Sequence, residues 1–256
     1  MSRPPEHPPQ HAPGTRQLPL PLPAEPSYDP ADLLEDATNA EAMAWLHRPA
    51  DWPGGRLALW GPPAVGKTHM LRWMAARHGW PVLAGPVLAG LPEVPAGPGL
   101  ALDDADRPGE ETALLHLLNL CAERGQMLLL AGREAPARWK VALPDLASRL
   151  RGMAAVAVQP PGDALLGALL TKQFADRQLR VEPSLQAWLL ARLPREAAAV
   201  AQAAALLDRA ALAHGGKLTR GLARAALAGL ADFGTAEDDD SMAISNPSSP
   251  AGVGLR

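Results

Sequence analysis

The sequence predicts an α/β domain built on a parallel sheet, followed by a small all-α domain. Three observations carry this expectation. Residues 61–68 read Gly61-Pro62-Pro63-Ala64-Val65-Gly66-Lys67-Thr68, between the apolar run Leu57-Ala58-Leu59-Trp60 and the helically spaced segment Met70–Ala76. Short continuous apolar runs then alternate with helical segments, the pattern of strands covered on both faces. From Asp163 onward the pattern is helical only.

Taken in order, residues 1–30 hold ten of the 28 prolines and are expected to be extended and mobile, with polyproline character. Asp36–Glu41 reads as a helix start, with Thr38 or Asn39 capping a segment through His47. The α/β domain spans residues 31–160. Its strands are expected at 57–60, near Pro81–Ala84, at Leu100–Leu102, at Met127–Ala131 and at Ala154–Val158. A helix over 110–124, with apolar positions at Ala113, Leu114, Leu117, Leu118 and Cys121, stops at Gly125. The helical domain, residues 161–231, is expected to hold four helices at about 163–177, 183–192, 194–213 and 219–230. Pro183, Pro194 and Thr219 mark three of their starts. The Asp-, Ser- and Pro-rich remainder, 232–256, is expected to be disordered.

Composition narrows the function classes. Hydrophobic content of 47% with 4% aromatic is ample for a core of Ala, Leu and Val. Arg outnumbers Lys by 20 to 4, which coding bias explains alongside the abundance of Ala, Gly and Pro. Residues 231–256 carry −4 of the net −3, so the body is close to neutral and offers no electrostatic case for tight DNA binding. The lone Cys121 excludes an internal disulfide. Neither a signal-peptide stretch nor a bilayer-spanning segment is evident, and a cytoplasmic location is expected.

The loop at 61–68 has the chemistry of a phosphate cradle. Its glycines let backbone N–H groups face an anion, and the helix that follows adds partial positive charge at its N-terminus. Lys67 can reach the β- and γ-phosphates of ATP or ADP, and the Thr68 hydroxyl can ligate Mg²⁺. Gly61, Pro62, Pro63, Ala64, Val65, Gly66, Lys67, Thr68 and His69 are therefore the expected nucleotide-binding residues. Asp103 and Asp104 follow an apolar strand, where ligands bind in open α/β sheets. Asp103 is assigned to the metal and Asp104 to the attacking water, because the first lies nearer the strand.

Together with Leu143-Pro144-Asp145-Leu146-Ala147-Ser148-Arg149-Leu150 and Leu206-Leu207-Asp208-Arg209-Ala210-Ala211-Leu212, these segments resemble the AAA+ superfamily. More narrowly, over roughly residues 16–230, the chain is similar to the DnaA-like regulators of the Hda family. The narrower resemblance adds Gln17-Leu18-Pro19-Leu20-Pro21-Leu22, Asn39-Ala40-Glu41-Ala42 and Trp60-Gly61-Pro62. It implies that Arg149 is an arginine finger acting in trans on ATP held by the replication initiator DnaA. It implies that Arg195, read as opening the third helix of the helical domain, is the sensor 2 arginine. Gln17, Leu18, Pro19, Leu20, Pro21 and Leu22 would bind the DNA polymerase sliding clamp, so that DNA is met only through the clamp.

At the sensor 1 position the chain departs from the family and reads Gly132-Arg133-Glu134. That departure leaves intrinsic hydrolysis open and makes ADP as well as ATP a candidate ligand. Separately, the sequence leaves a homodimer open. The residues after 230 have neither the length nor the basic charge for a helix-turn-helix, and 80–100 contains no Lys or Arg. The alternatives are an autonomous AAA+ ATPase of the clamp-loader or helicase/transposase-helper type, and a nucleotide-gated adaptor.

Overall fold

Apolar runs flanked by Gly and Pro become strands here because the sheet they form is buried on both faces. In the computed structural model, which describes residues 33–230 and 233–234, five strands form one sheet. The Pro-rich segment with Gln17–Leu22, and the acidic tail beyond 234, lie outside the described residues. The strands are β1 (Arg56–Trp60), β2 (Val82–Ala84), β3 (Gly99–Asp103), β4 (Met127–Gly132) and β5 (Ala155–Ala157). They lie in the order β2-β3-β4-β1-β5, and every pairing is parallel.

Alternate residues of each strand face opposite layers. Leu57, Leu59, Ala101, Leu129, Ala131 and Val156 pack with α1 (Ala40–Leu46) and α2 (Lys67–His78). Ala58, Leu100, Leu102, Leu128 and Leu130 pack with α3 (Glu111–Glu123) and α4 (Pro144–Arg151). Both layers are closed by long apolar side chains; Leu71 and Met74 on one side and Leu114 and Leu117 on the other are fully buried. Tryptophans seal the edge of the first layer. Trp52 donates its indole N–H to the carbonyl of Trp45 at 2.8 Å and meets Trp80 edge-on, with 6.0 Å between ring centroids.

The four expected helices of the C-terminal half are present: α5 (Asp163–Asp176), α6 (Pro183–Leu190), α7 (Ala197–Ala213) and α8 (Arg220–Leu227). They enclose a core of their own around Leu170, Phe174, Leu189, Val200, Leu207 and Leu227. Thr219 caps α8, its hydroxyl accepting the Leu222 N–H.

Some local expectations change. Asn39 occupies the N-cap position of α1 but makes no side-chain cap. Its amide turns back instead, accepting from Asp36 N–H at 2.9 Å and donating to the Leu34 carbonyl at 2.8 Å. A side chain only 5% exposed satisfies both ends inside the preceding turn rather than at the helix. α7 begins at Ala197 and not at Pro194, because Glu196 is extended (φ −137°, ψ 132°) and serves as the N-cap. Arg195 therefore lies in the turn before the helix. α4, which periodicity over so few residues does not reveal, starts with proline at its first turn and buries only Leu146 and Leu150.

Truncating Leu117 to alanine should cost about 2–5 kcal/mol by urea denaturation. The same change at Leu212, which is 71% exposed, should stay within about 0.5 kcal/mol.

Candidate functional site: a phosphate loop at the carboxyl edge of the sheet

The register brings the carboxyl ends of the strands level. Trp60 pairs with Gly132 on one side and with Ala157 on the other, and Leu102 pairs with Leu130. The loop 61–66, the Asp103-Asp104 turn and the Gly132-Arg133 turn thus emerge along one edge. Two backbone bonds tie these exits together: Gly61 N–H donates to the Gly132 carbonyl at 3.3 Å, and Ala105 N–H to the Ala131 carbonyl at 2.8 Å.

Gly61 is confined by packing. A Cβ there would lie 2.3 Å from the Val158 carbonyl oxygen, so only glycine lets the loop leave β1 against this backbone. Gly66 has φ +98° and hands the chain into α2. Ala64, without glycine's freedom, also sits at positive φ, +62°. That left-handed conformation costs roughly 1 kcal/mol and is found where function demands a backbone shape. Among the described residues, the N–H groups of Ala64, Val65, Gly66, Lys67 and Thr68 make no backbone hydrogen bond. A row of unspent donors at a helix N-terminus is what an anionic phosphate requires.

The Lys67 ammonium donates to the carbonyls of Gly61 at 2.8 Å and Pro62 at 2.7 Å. Burial is the main cause that holds its pKa below the ordinary lysine value. Asp106, Asp103 and Asp104, in that order, pull it back up, and the Arg133 guanidinium pushes with burial. These five charged groups therefore share one electrostatic neighbourhood.

Asp103 ends β3, and its Oδ1 accepts the Asp104 N–H at 3.1 Å. Asp104 is exposed and itself left-handed, φ +48°. Of the three carboxylates that draw the Lys67 pKa upward, Asp106 does so most, and it was not among the residues expected at the site. Its Oδ2 accepts the Arg133 N–H at 3.0 Å, while Oδ1 is buried with no hydrogen bond. The only sequence signal for Asp106 is its place three residues after Asp103, and a turn rich in acidic residues is by itself unremarkable.

Among the described residues no cluster of three His, Cys, Asp or Glu could hold a metal alone. The donor set suits Mg²⁺ nonetheless, since that ion takes one or two protein oxygens and completes its shell with phosphates and waters. Thr68 and Asp103 are the residues that would hold it.

Neither of the two arginines singled out by resemblance is among the charges that act on Lys67. Arg195 pairs with Asp163, the first residue of α5, both side chains being largely exposed. Arg149 is exposed on α4 and, among the described residues, makes no hydrogen bond or ion pair. No helix of the described residues is long and apolar enough to cross a membrane.

Sheet order, phosphate loop and appended helices define the fold class: an α/β domain with a parallel sheet and a P-loop-type turn, with a small all-α unit. By sequence the chain matches no family model and no curated protein. By structure it is similar to domain III of the replication initiation protein DnaA from Thermotoga maritima. The TM-score is 0.66 at 16% identity, over 83% of this chain and 99% of that one. AMPPCP-bound DnaA from Aquifex aeolicus superposes with a TM-score of 0.58 at 15% identity, over 72% of this chain and 66% of that one. The RuvB Holliday junction branch migration motor of Thermotoga maritima gives 0.56 at 16% identity, over 75% and 66%. The chain thus spans about two thirds of these longer proteins. The likeness establishes the fold that DnaA and RuvB share.

Because burial penalises the Lys67 charge at every pH below its lowered pKa, replacing that charge with an apolar isostere removes a cost to the folded state. Lys67→Met should leave the thermal midpoint unchanged or slightly raised at pH 7 in ligand-free protein. A fall of several degrees would contradict this account of the site.

Proposed function

We propose that this protein is a nucleotide-binding regulator of replication initiation. In this reading it holds ADP or ATP on residues 61–69 and presents Arg149 to ATP carried by DnaA. The segment Gln17–Leu22 keeps it on the DNA-loaded sliding clamp. The observation that carries the proposal is the uncommitted guanidinium of Arg149, on a helix of a domain that has a complete phosphate loop of its own.

The chemistry follows from what each group can do. Bound nucleotide with Mg²⁺ would place phosphate charge against the free N–H groups of 64–68 and give Lys67 an anionic acceptor in place of the Gly61 and Pro62 carbonyls. Asp103 and Thr68 supply metal ligands, and Asp104 lies at the surface where it can accept a proton from water. Arg133, whose backbone N–H donates to Asp106, falls at the position that the resemblance gives to sensor 1. A site in which Arg133 does not take over that role would turn over slowly and hold ADP. Arg149 acts elsewhere: a planar cation with five donors stabilises charge building up on a phosphoryl group held by a neighbour. Arg195 would have to exchange Asp163 for nucleotide. As an exposed pair is worth less than about 1 kcal/mol, that exchange is inexpensive.

The acid cluster facing Lys67 supports a second reading, an autonomous AAA+ ATPase of the clamp-loader or helicase/transposase-helper type. Appreciable turnover by the isolated protein, lost in Asp104→Ala, would favour it.

With purified DnaA, loaded clamp and this protein, Arg149→Ala should reduce stimulated ATP turnover by about 10³-fold or more. Full stimulation by that variant would refute the finger. Changing Gln17, Leu18 and Leu20 to alanine should abolish clamp pull-down and leave nucleotide binding intact. Undiminished capture of the clamp would refute the tether.

A further inference from the structure

Arg149 touches no partner group within the described chain, so whatever aims it must act through the helix that carries it. That helix, α4, has eight residues, fewer than an isolated helix needs to hold itself in water. Its N-cap position is Leu143, which offers no side-chain cap. The acceptor comes instead from 31 and 32 residues away. Glu111, the first residue of α3, accepts the Ala142 N–H on both carboxylate oxygens at 2.9 Å and the Leu143 N–H on Oε2 at 2.9 Å.

One carboxylate thus stands at the N-termini of two helices, where partial positive charge favours it twice. Leu146 and Leu150 hold the inner face of α4 in the same apolar cluster as Leu114 and Leu117. Apolar burial is non-directional and by itself leaves a short helix free to rock. The hydrogen bonds to Glu111 are directional, and they set where the helix begins.

We infer that Glu111 is a positioning residue for Arg149: it fixes the entry of α4 and so the direction in which the guanidinium leaves the surface. This rests on the reading of Arg149 as a finger in trans. Loss of the carboxylate would leave the phosphate loop and its nucleotide untouched, since α4 and that loop are held by different contacts.

The test compares Glu111→Ala, Glu111→Gln and Arg149→Ala in the full-length protein. Amide hydrogen exchange at Ala142 and Leu143, read without any partner, should quicken roughly three- to tenfold in Glu111→Ala. It should quicken less in Glu111→Gln, which keeps one acceptor oxygen. The maximal rate of initiator ATP turnover, at saturating regulator on loaded clamp, should fall about ten- to a hundredfold in Glu111→Ala. Partial restoration is expected in Glu111→Gln, with nucleotide binding and clamp binding at the wild-type level. Quickened exchange with wild-type turnover overturns the inference, and so does unchanged exchange. Should Glu111→Ala fail to fold, Glu111→Gln decides: its exchange and its turnover must both move, or the inference falls. Wild-type turnover by Arg149→Ala marks the different failure, that of the finger itself, and takes the positioning role with it.

Discussion

Parallel strands cannot be joined by tight hairpins, so each crossover must carry the chain back to the end from which it started. In this protein that constraint, imposed by a sheet buried on both faces, places the phosphate loop and the charged groups around Lys67. The segments leaving β1, β3 and β4 emerge side by side because Trp60 is level with Gly132 and Leu102 with Leu130. Two backbone hydrogen bonds, from Gly61 to Gly132 and from Ala105 to Ala131, then lock the exits to one another. The phosphate loop is thus the rim of a rigid layer, and its strained Ala64 and crowded Gly61 are held by packing that runs through the whole domain.

That rim concentrates charge where burial makes charge expensive. Lys67 is desolvated, drawn upward in pKa by Asp106, Asp103 and Asp104 and opposed by Arg133. The unsatisfied Oδ1 of Asp106 belongs to the same neighbourhood. Such arrangements lower the stability of a fold locally and are tolerated where a ligand repays the cost. The N–H groups at 64–68, left without backbone partners, match a ligand rich in anionic oxygens.

Outward from the rim, the two arginines differ in kind. Arg195 is engaged by Asp163 in an exposed ion pair that gives way readily. Arg149 is engaged by nothing among the described residues, yet its helix is anchored by Leu146, Leu150 and the carboxylate of Glu111. The helix is thus held along its inner face and at its entry, while the guanidinium it carries has no partner among the described residues.

How much of this is visible in the residues alone depends on the range over which they interact. The apolar runs at 57–60, 100–102 and 127–131, the phosphate loop, and α3 ending at Gly125 are written in neighbours a few positions apart, where period and turn chemistry are decisive. The alternation of those runs with helices sufficed for the parallel sheet, and the strand-free stretch after Asp163 for the helical unit. Tertiary structure alone set the order β2-β3-β4-β1-β5, the turning back of Asn39, and the late start of α7 that leaves Arg195 in a turn. It alone also joined Asp106 to Arg133 and Glu111 to Ala142, across 27 and 31 residues. Those contacts are made by whichever side chain the packed layers bring within hydrogen-bonding distance, and no local pattern encodes that encounter.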